Sequence, residues 1–157
     1  MNRARGLMLA AVLAPLAAVA FALVSQYRFD MQPCPWCVLQ RLLFLAIALA
    51  ALPGLLVNSA GVRRASAAAV ITLSLCGAAA ALWQHFVAAS STSCALTLAD
   101  RWIRQSGLDE LAPQVFAAYA SCADAKVNLL GVPYEFFSLA LFVVLGLMAT
   151  AVWRRPV

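Results

Sequence analysis

The sequence predicts an all-α integral membrane protein, a bundle of four transmembrane helices with one long outer loop that carries short helical pieces. Three observations predict it. Of 157 residues, 65% are apolar and only 11% charged, against the roughly 25% charge of an ordinary soluble domain. Four apolar stretches are each long enough, at 1.5 Å per residue, to cross a hydrocarbon core roughly 30 Å thick. The arginines that flank those stretches alternate in the way a multi-pass chain requires.

The first span covers residues 6–24, a run of 19 without a charge. A cleaved signal peptide competes for this stretch, because Arg3 and Arg5 form a basic start and Ala18-Val19-Ala20 offers a small-x-small cleavage site. An apolar signal region is usually about 7 to 15 residues, so a retained span is the better reading. Pro15 would kink it, which bilayers tolerate. The second span, about 38–57, carries Arg41 near its first turn and Pro53-Gly54 near its far end. The third, about 65–87, closes on Trp83-Gln84-His85, and the fourth, about 136–153, runs from Glu135 to Arg154-Arg155. Trp83 and Trp153 read as interfacial belt residues.

Charge then sets the orientation. Arg3, Arg5, Arg63, Arg64, Arg154 and Arg155 fall on one side with no acid beside them, which marks that side, and both termini, as cytoplasmic. The other side holds Arg28, Arg41, Arg101, Arg104 and Lys126 against all six acids. The net charge of +5 is thus a product of topology, and nucleic-acid binding loses its support. Two segments remain outside, a short loop at about 25–37 and a long one at about 88–135. Loops beyond about 15 residues tend to be functional or disordered. This one has apolar patches, and Pro113 can open a short helix that places Phe116 and Tyr119 on one face. A helix lying on the membrane surface and a small extramembrane cap both fit the pattern. No repeat, low-complexity tract or second domain is visible, so residues 1–157 read as a single membrane domain.

Four of the five cysteines, Cys34, Cys37, Cys94 and Cys122, fall on the outer side, which is an oxidising compartment in a Gram-negative cell. Cys34-Pro35-Trp36-Cys37 is a Cys-x-x-Cys at the start of span two, a spacing that can close a short disulfide and hold one sulfur as a reactive thiolate. There the helix aims its positive dipole end at the sulfurs, favouring thiolate character at Cys37. Cys94 and Cys122 flank 27 residues. A structural crosslink of that size contributes about 3 to 4 kcal/mol, but beside a second pair it can also form a relay by thiol-disulfide exchange. No Gly-x-Gly-x-x-Gly, Walker loop or Cys-x-x-Cys-His is present, so electrons leaving Cys37 need an acceptor that the membrane supplies.

Arg41 stands one turn deeper than Cys37 on the same helix face. An intramembrane charge is by default a site hypothesis, and here a guanidinium can bind the carbonyl oxygen of a lipid-soluble quinone. Simple snorkelling is the plainer alternative. His85 can hydrogen-bond a quinone oxygen or merely cap its helix. Gln40 reads as an interfacial polar residue or a supporting partner, and Cys76, in mid-span, as a small packing residue.

These residues together resemble the bacterial disulfide bond formation protein B family (DsbB). The resemblance covers nearly the whole length and rests on Cys34-Pro35-Trp36-Cys37 with Gln40-Arg41, on Cys94, on Pro113-Gln114-Val115-Phe116, and on Cys122-Ala123-Asp124 with Leu129-Leu130-Gly131. Each is weak alone, but their order around four spans is specific. The resemblance implies a multi-pass inner-membrane thiol oxidase with its active cysteines in the periplasm. It would reoxidise a DsbA-like dithiol oxidase of thioredoxin fold and pass the electrons to ubiquinone or menaquinone. It further implies a Cys94–Cys122 disulfide attacked by the partner, with Cys94 bridged to it. Cys34 would take over Cys122, and Cys37 would deliver electrons to quinone beside Arg41 and His85.

Alternatives exist. A vitamin K epoxide reductase-like quinone reductase would place its Cys-x-x-Cys after the loop pair, whereas here it comes first. Four thiolates could instead hold structural zinc, or merely staple the outer face.

Overall fold

The computed structural model describes residues 3–90, 98–121, 124, 128, 129 and 131–155. Cys94 and Cys122, and with them the expected loop disulfide, lie outside the described residues. Four long apolar helices are present: α1 (Arg3–Phe29), α2 (Pro35–Leu56), α3 (Ala60–Phe86) and, last in the chain, α7 (Tyr134–Arg154). Each is long and apolar enough to cross a membrane. At 1.5 Å per residue they extend from about 32 to about 40 Å, longer than the uncharged cores of the expected spans. The difference lies in the ends, which recruit polar residues because helical hydrogen bonding continues past the hydrocarbon boundary. Arg63 therefore stands in the opening turn of α3, where it is 2% exposed and donates from Nη2 to Asn58 Oδ1 at 2.7 Å.

Local chemistry explains where α2 begins and ends. Cys34 is its N-cap, in an extended conformation, and Pro35 follows as the first helical residue, where a missing N–H is harmless and the fixed φ suits a helix. At the far end Val57 N–H closes on the Pro53 carbonyl at 2.9 Å. Three residues then reverse the chain into α3.

The bundle closes as a ring in which α1 meets α2, α2 meets α3, α3 meets α7 and α7 returns to α1. Lipid tails are as apolar as leucine, so helices associate in a bilayer through close backbone approach and shape rather than hydrophobic drive. The contacts reflect this: Ala4, Ala11, Ala51 and Ala67 are buried at the seams, and Gly54 is so close to Ser66 that an added Cβ would stand 2.9 Å from its side chain. At mid-bundle the rings of Phe44 and Phe142 stack at 4.1 Å and 7°, and Gly77 makes the room that the Phe142 ring occupies. Leu49, Leu75 and Leu147 point outward on the other faces and are about two-thirds exposed. Cys76 is exposed there too, so it is not the packing residue the sequence suggested. Its neighbour Gly77 has that role, because the helix turns about 100° between them.

The long loop folds back over the start of α2. It contains α4 (Leu98–Ser106) and two single turns, α5 (Leu108–Leu111) and α6 (Pro113–Phe116), followed by a two-residue hairpin of β1 (Asn128–Leu129) and β2 (Val132–Pro133). Ile103 of α4 and Phe116 of α6 bury against Val38 of α2. Pro113 does open a helix, but it stops at Phe116, so Tyr119 does not share a helical face with Phe116. The reason is a competing bond: the N–H groups of Tyr119 and Ala120 both donate to the Pro33 carbonyl, at 3.0 and 3.3 Å, and hold the chain beside the N-cap of α2. Phe116 is buried while Tyr119 is 59% exposed.

Candidate active site

The site is assembled at the N-terminal end of α2. As N-cap, Cys34 presents its Sγ to the N–H of Cys37 at 3.3 Å, taking one of the donors a helix start leaves unpaired. One helical turn brings Cys37 back over it, and the two sulfurs stand 2.7 Å apart. Small side-chain rotations therefore suffice to close or open a disulfide between them.

The two sulfurs have different surroundings. Cys34 is fully buried, next to Pro33 where Tyr119 and Ala120 are anchored. Cys37 stands in the wall of a cavity of about 360 Å³, a volume within the range of small-molecule sites. This cavity opens between α1 and α7 with α2 behind it. Val19, Phe21, Phe44, Phe137 and Leu141 make its apolar walls, and Cys37, Gln40, Arg41, Gln84 and Glu135 bring polar atoms to it.

A chain of amides supports Cys37. Gln84 of α3 donates from Nε2 to Cys37 Sγ at 3.4 Å, and Gln40 of α2 donates from Nε2 to Gln84 Oε1 at 2.7 Å. Both glutamines are buried, where an unpaired amide would cost about 1 to 3 kcal/mol, so each bond fixes the next. Gln40 is thus a supporting partner rather than an interfacial polar residue.

Arg41 is only 6% exposed. Its Nη1 donates to Gln26 Oε1 of α1 at 2.8 Å and to the Val115 carbonyl of α6 at 3.1 Å. Its head therefore stays beneath the loop, and a buried charge supported in this way is held in one place. Tyr27 adds a bond from its hydroxyl to the Gln114 carbonyl at 2.9 Å, so α1 and α2 both hold α6 down over the site. His85 lies apart. Its Nδ1 is 2.8 Å from Glu135 Oε1, and its ring meets Phe86 and Phe136, so it reaches the cavity through Glu135.

The structure thus brings Cys34, Cys37 and Arg41 together with Gln40. It adds Gln26, Gln84, Glu135 and the Val115 carbonyl, to which sequence reasoning gave no role. The signal for the two glutamines was a lone amide near the end of an apolar run, as with Gln40. A main-chain carbonyl has no signature in sequence.

Fold and site define a multi-pass membrane protein-disulfide oxidoreductase, with its dithiol between a folded loop and a cavity in the bundle. The family model described as "Disulfide bond formation protein DsbB" matches residues 4–152, and the chain belongs to that family. Among its relatives, the disulfide bond formation protein B of Herminiimonas arsenicoxydans is 31% identical over 148 residues, covering 94% of this chain and 93% of that one. That of Aromatoleum aromaticum is 31% identical, with 87% and 84% covered. Disulfide bond formation protein B 1 of Pseudomonas syringae pv. syringae is 32% identical, with 87% and 81% covered.

Proposed function

We propose that this protein reoxidises a periplasmic DsbA-like dithiol protein and passes the electrons to a membrane quinone, ubiquinone or menaquinone. One observation carries the reading: Cys37 lies within bonding reach of Cys34 on one side and in the wall of an apolar cavity beside Arg41 on the other. The dithiol thus stands between the two environments that the reaction must join. The arginine count supports this reading, with both termini on the cytoplasmic side and the dithiol on the periplasmic side.

The work of the chain divides between its two sulfur pairs. The partner thiolate attacks Cys94 and displaces Cys122. The partner's second thiol then attacks its own sulfur in this mixed disulfide, closing the partner's disulfide and expelling Cys94, so that both loop cysteines are reduced. Exchange with the Cys34–Cys37 disulfide then reoxidises the loop pair and leaves Cys34 and Cys37 as thiols. The anchoring of Ala120 on Pro33 supports this step, because two residues of chain, at most about 7 Å, separate Ala120 from Cys122. A quinone bound in the cavity would supply the two-electron oxidising capacity that returns Cys34 and Cys37 to the disulfide. The residues present fit such a group. The apolar walls suit a hydrophobic ring, the Arg41 guanidinium, fixed through Nη1 by Gln26 and Val115, brings positive charge to a polar oxygen, and Gln84 orients Cys37 Sγ. The loop packed over α2 keeps water from the sulfurs.

The test is anaerobic mixing of the purified protein with a reduced Cys-x-x-Cys donor and a short-chain ubiquinone analogue. One quinone should be lost from the absorbance spectrum for each donor disulfide formed. Stable quinone absorbance would overturn the reading.

A further inference from the structure

His85 is the one histidine in the chain, and it is joined to Glu135, the one acid among the described residues of the cavity wall. Its Nδ1 is 2.8 Å from Glu135 Oε1. The two side chains differ in exposure: 31% for His85 and 10% for Glu135. His85 stands in the last turn of α3, and Glu135 in the first turn of α7, where it lines the cavity. A carboxylate at a helix N-terminus and an imidazole at a helix C-terminus each suit the local dipole. Helix capping, however, does not require the carboxylate to face the chamber that holds Cys37 and Arg41.

The reaction leaves a requirement that the residues discussed so far do not meet. The acceptor must take up two protons for every two electrons, while Cys34 and Cys37 shed two as they close to the disulfide. A group in the cavity wall must therefore hand protons on at the acceptor. Arg41 does not give up its proton in a protein, and Gln40, Gln84 and Ser25 do not titrate. Among the described residues, the remaining titratable groups that line the cavity are Cys37 of α2 and Tyr134 and Glu135 of α7, and α1 brings none. Of these, Glu135 is the one bonded to an ionisable side chain that reaches the surface.

Building on the quinone-reducing function proposed above, we propose that Glu135 is the proton donor to the electron acceptor in the cavity, and that His85 reprotonates it from the outer side. Glu135 gives its carboxyl proton to an acceptor oxygen as the dithiol supplies the electron pair, releases its two thiol protons to water on the outer side and becomes the disulfide. His85 gives its Nδ1 proton to the resulting carboxylate and takes a replacement from water. Two passages along this line balance one turnover. His85 is a positioning and relay residue here, rather than a direct contact of the acceptor.

Quinone-free protein tests the pair first. With one histidine, ¹⁵N labelling yields a single imidazole to follow by NMR, and Glu135→Gln should move its Nδ1 resonance. An unchanged resonance overturns the pairing. Turnover with a reduced dithiol donor and a short-chain ubiquinone analogue tests the relay. Glu135→Gln should lower kcat about 100-fold, at the low end of general acid catalysis, with KM for the analogue nearly unchanged, and Glu135→Asp should recover part of the loss. His85→Ala should be slow and be restored by added imidazole, which a purely structural defect would not be. Wild-type kcat in Glu135→Gln, or a His85→Ala defect indifferent to imidazole, overturns the relay. Failure of the wild type to reduce the analogue overturns the quinone reading instead, and the NMR measurement still reports on the pair.

Discussion

Gln84 of α3 donates a hydrogen bond from Nε2 to the Sγ of Cys37 on α2, at 3.4 Å. The bond crosses a helix interface to reach the sulfur that faces the cavity. Replacing it by Gln84→Leu removes the donor and leaves Gln40 without its acceptor. A net hydrogen bond contributes about 1 kcal/mol, so turnover should fall about fivefold while partner binding persists. Steady-state kinetics checks this, and an unaltered kcat would show that the bond only packs the interface.

Arg41→Ala should chiefly raise KM for the quinone analogue. Hydrogen bonds to charged groups contribute about 1.5 to 3 kcal/mol, which corresponds to roughly a 10- to 100-fold increase. The same change leaves Gln26 Oε1 and the Val115 carbonyl without the bonds that Arg41 makes to them, so α6 should also loosen. An unchanged KM would remove Arg41 from the acceptor site.

The cysteines should separate the two half-reactions. Cys37→Ser is expected to abolish quinone reduction, whereas Cys94→Ser is expected to abolish the mixed disulfide with the partner, read on a non-reducing gel. A Cys94→Ser protein that still forms the adduct would reassign the attacked sulfur.

Tyr27→Phe tests how α1 holds the loop. It deletes the 2.9 Å bond to the Gln114 carbonyl and little else. Amide exchange at Val115 and Phe116 should accelerate about fivefold, in line with about 1 kcal/mol for one bond. Equal exchange rates would assign the docking of α6 to Arg41 and the Val38 contacts alone.

Two glycines in α3 predict opposite outcomes. At Gly77 a methyl group would overlap the Phe142 ring, while at Gly61 the nearest atom is Ser59 Oγ, 3.8 Å away. Gly77→Ala should lower stability by about 1 to 3 kcal/mol through overpacking, and Gly61→Ala should be neutral or slightly stabilising, since alanine favours the helix. Thermal unfolding in detergent distinguishes them.

What was legible in the sequence was what depends on period and local chemistry. Apolar length marked four membrane helices, and the Cys-x-x-Cys with Pro at its second position marked the start of α2. Arg41, one turn below Cys37, stood out because a charge in an apolar helix is rarely idle. Phe116 and Tyr119 show the limit. Their spacing fits a helix, but Pro33, distant in sequence, takes the N–H groups of Tyr119 and Ala120, and that pairing ends the turn.

Sequence alone therefore determined the helical membrane architecture, the dithiol and its neighbouring charge, because each follows from residues within a few turns of one another. The partners of that chemistry were decided only in three dimensions. Gln26 reaches Arg41 from α1, Gln84 reaches Cys37 from α3, the Val115 carbonyl descends from the loop, and His85 meets Glu135 across 50 residues. No period links such positions. They meet because four helices close into a ring with small residues at their seams, and that closure leaves a chamber into which Cys37, Arg41 and Glu135 all open.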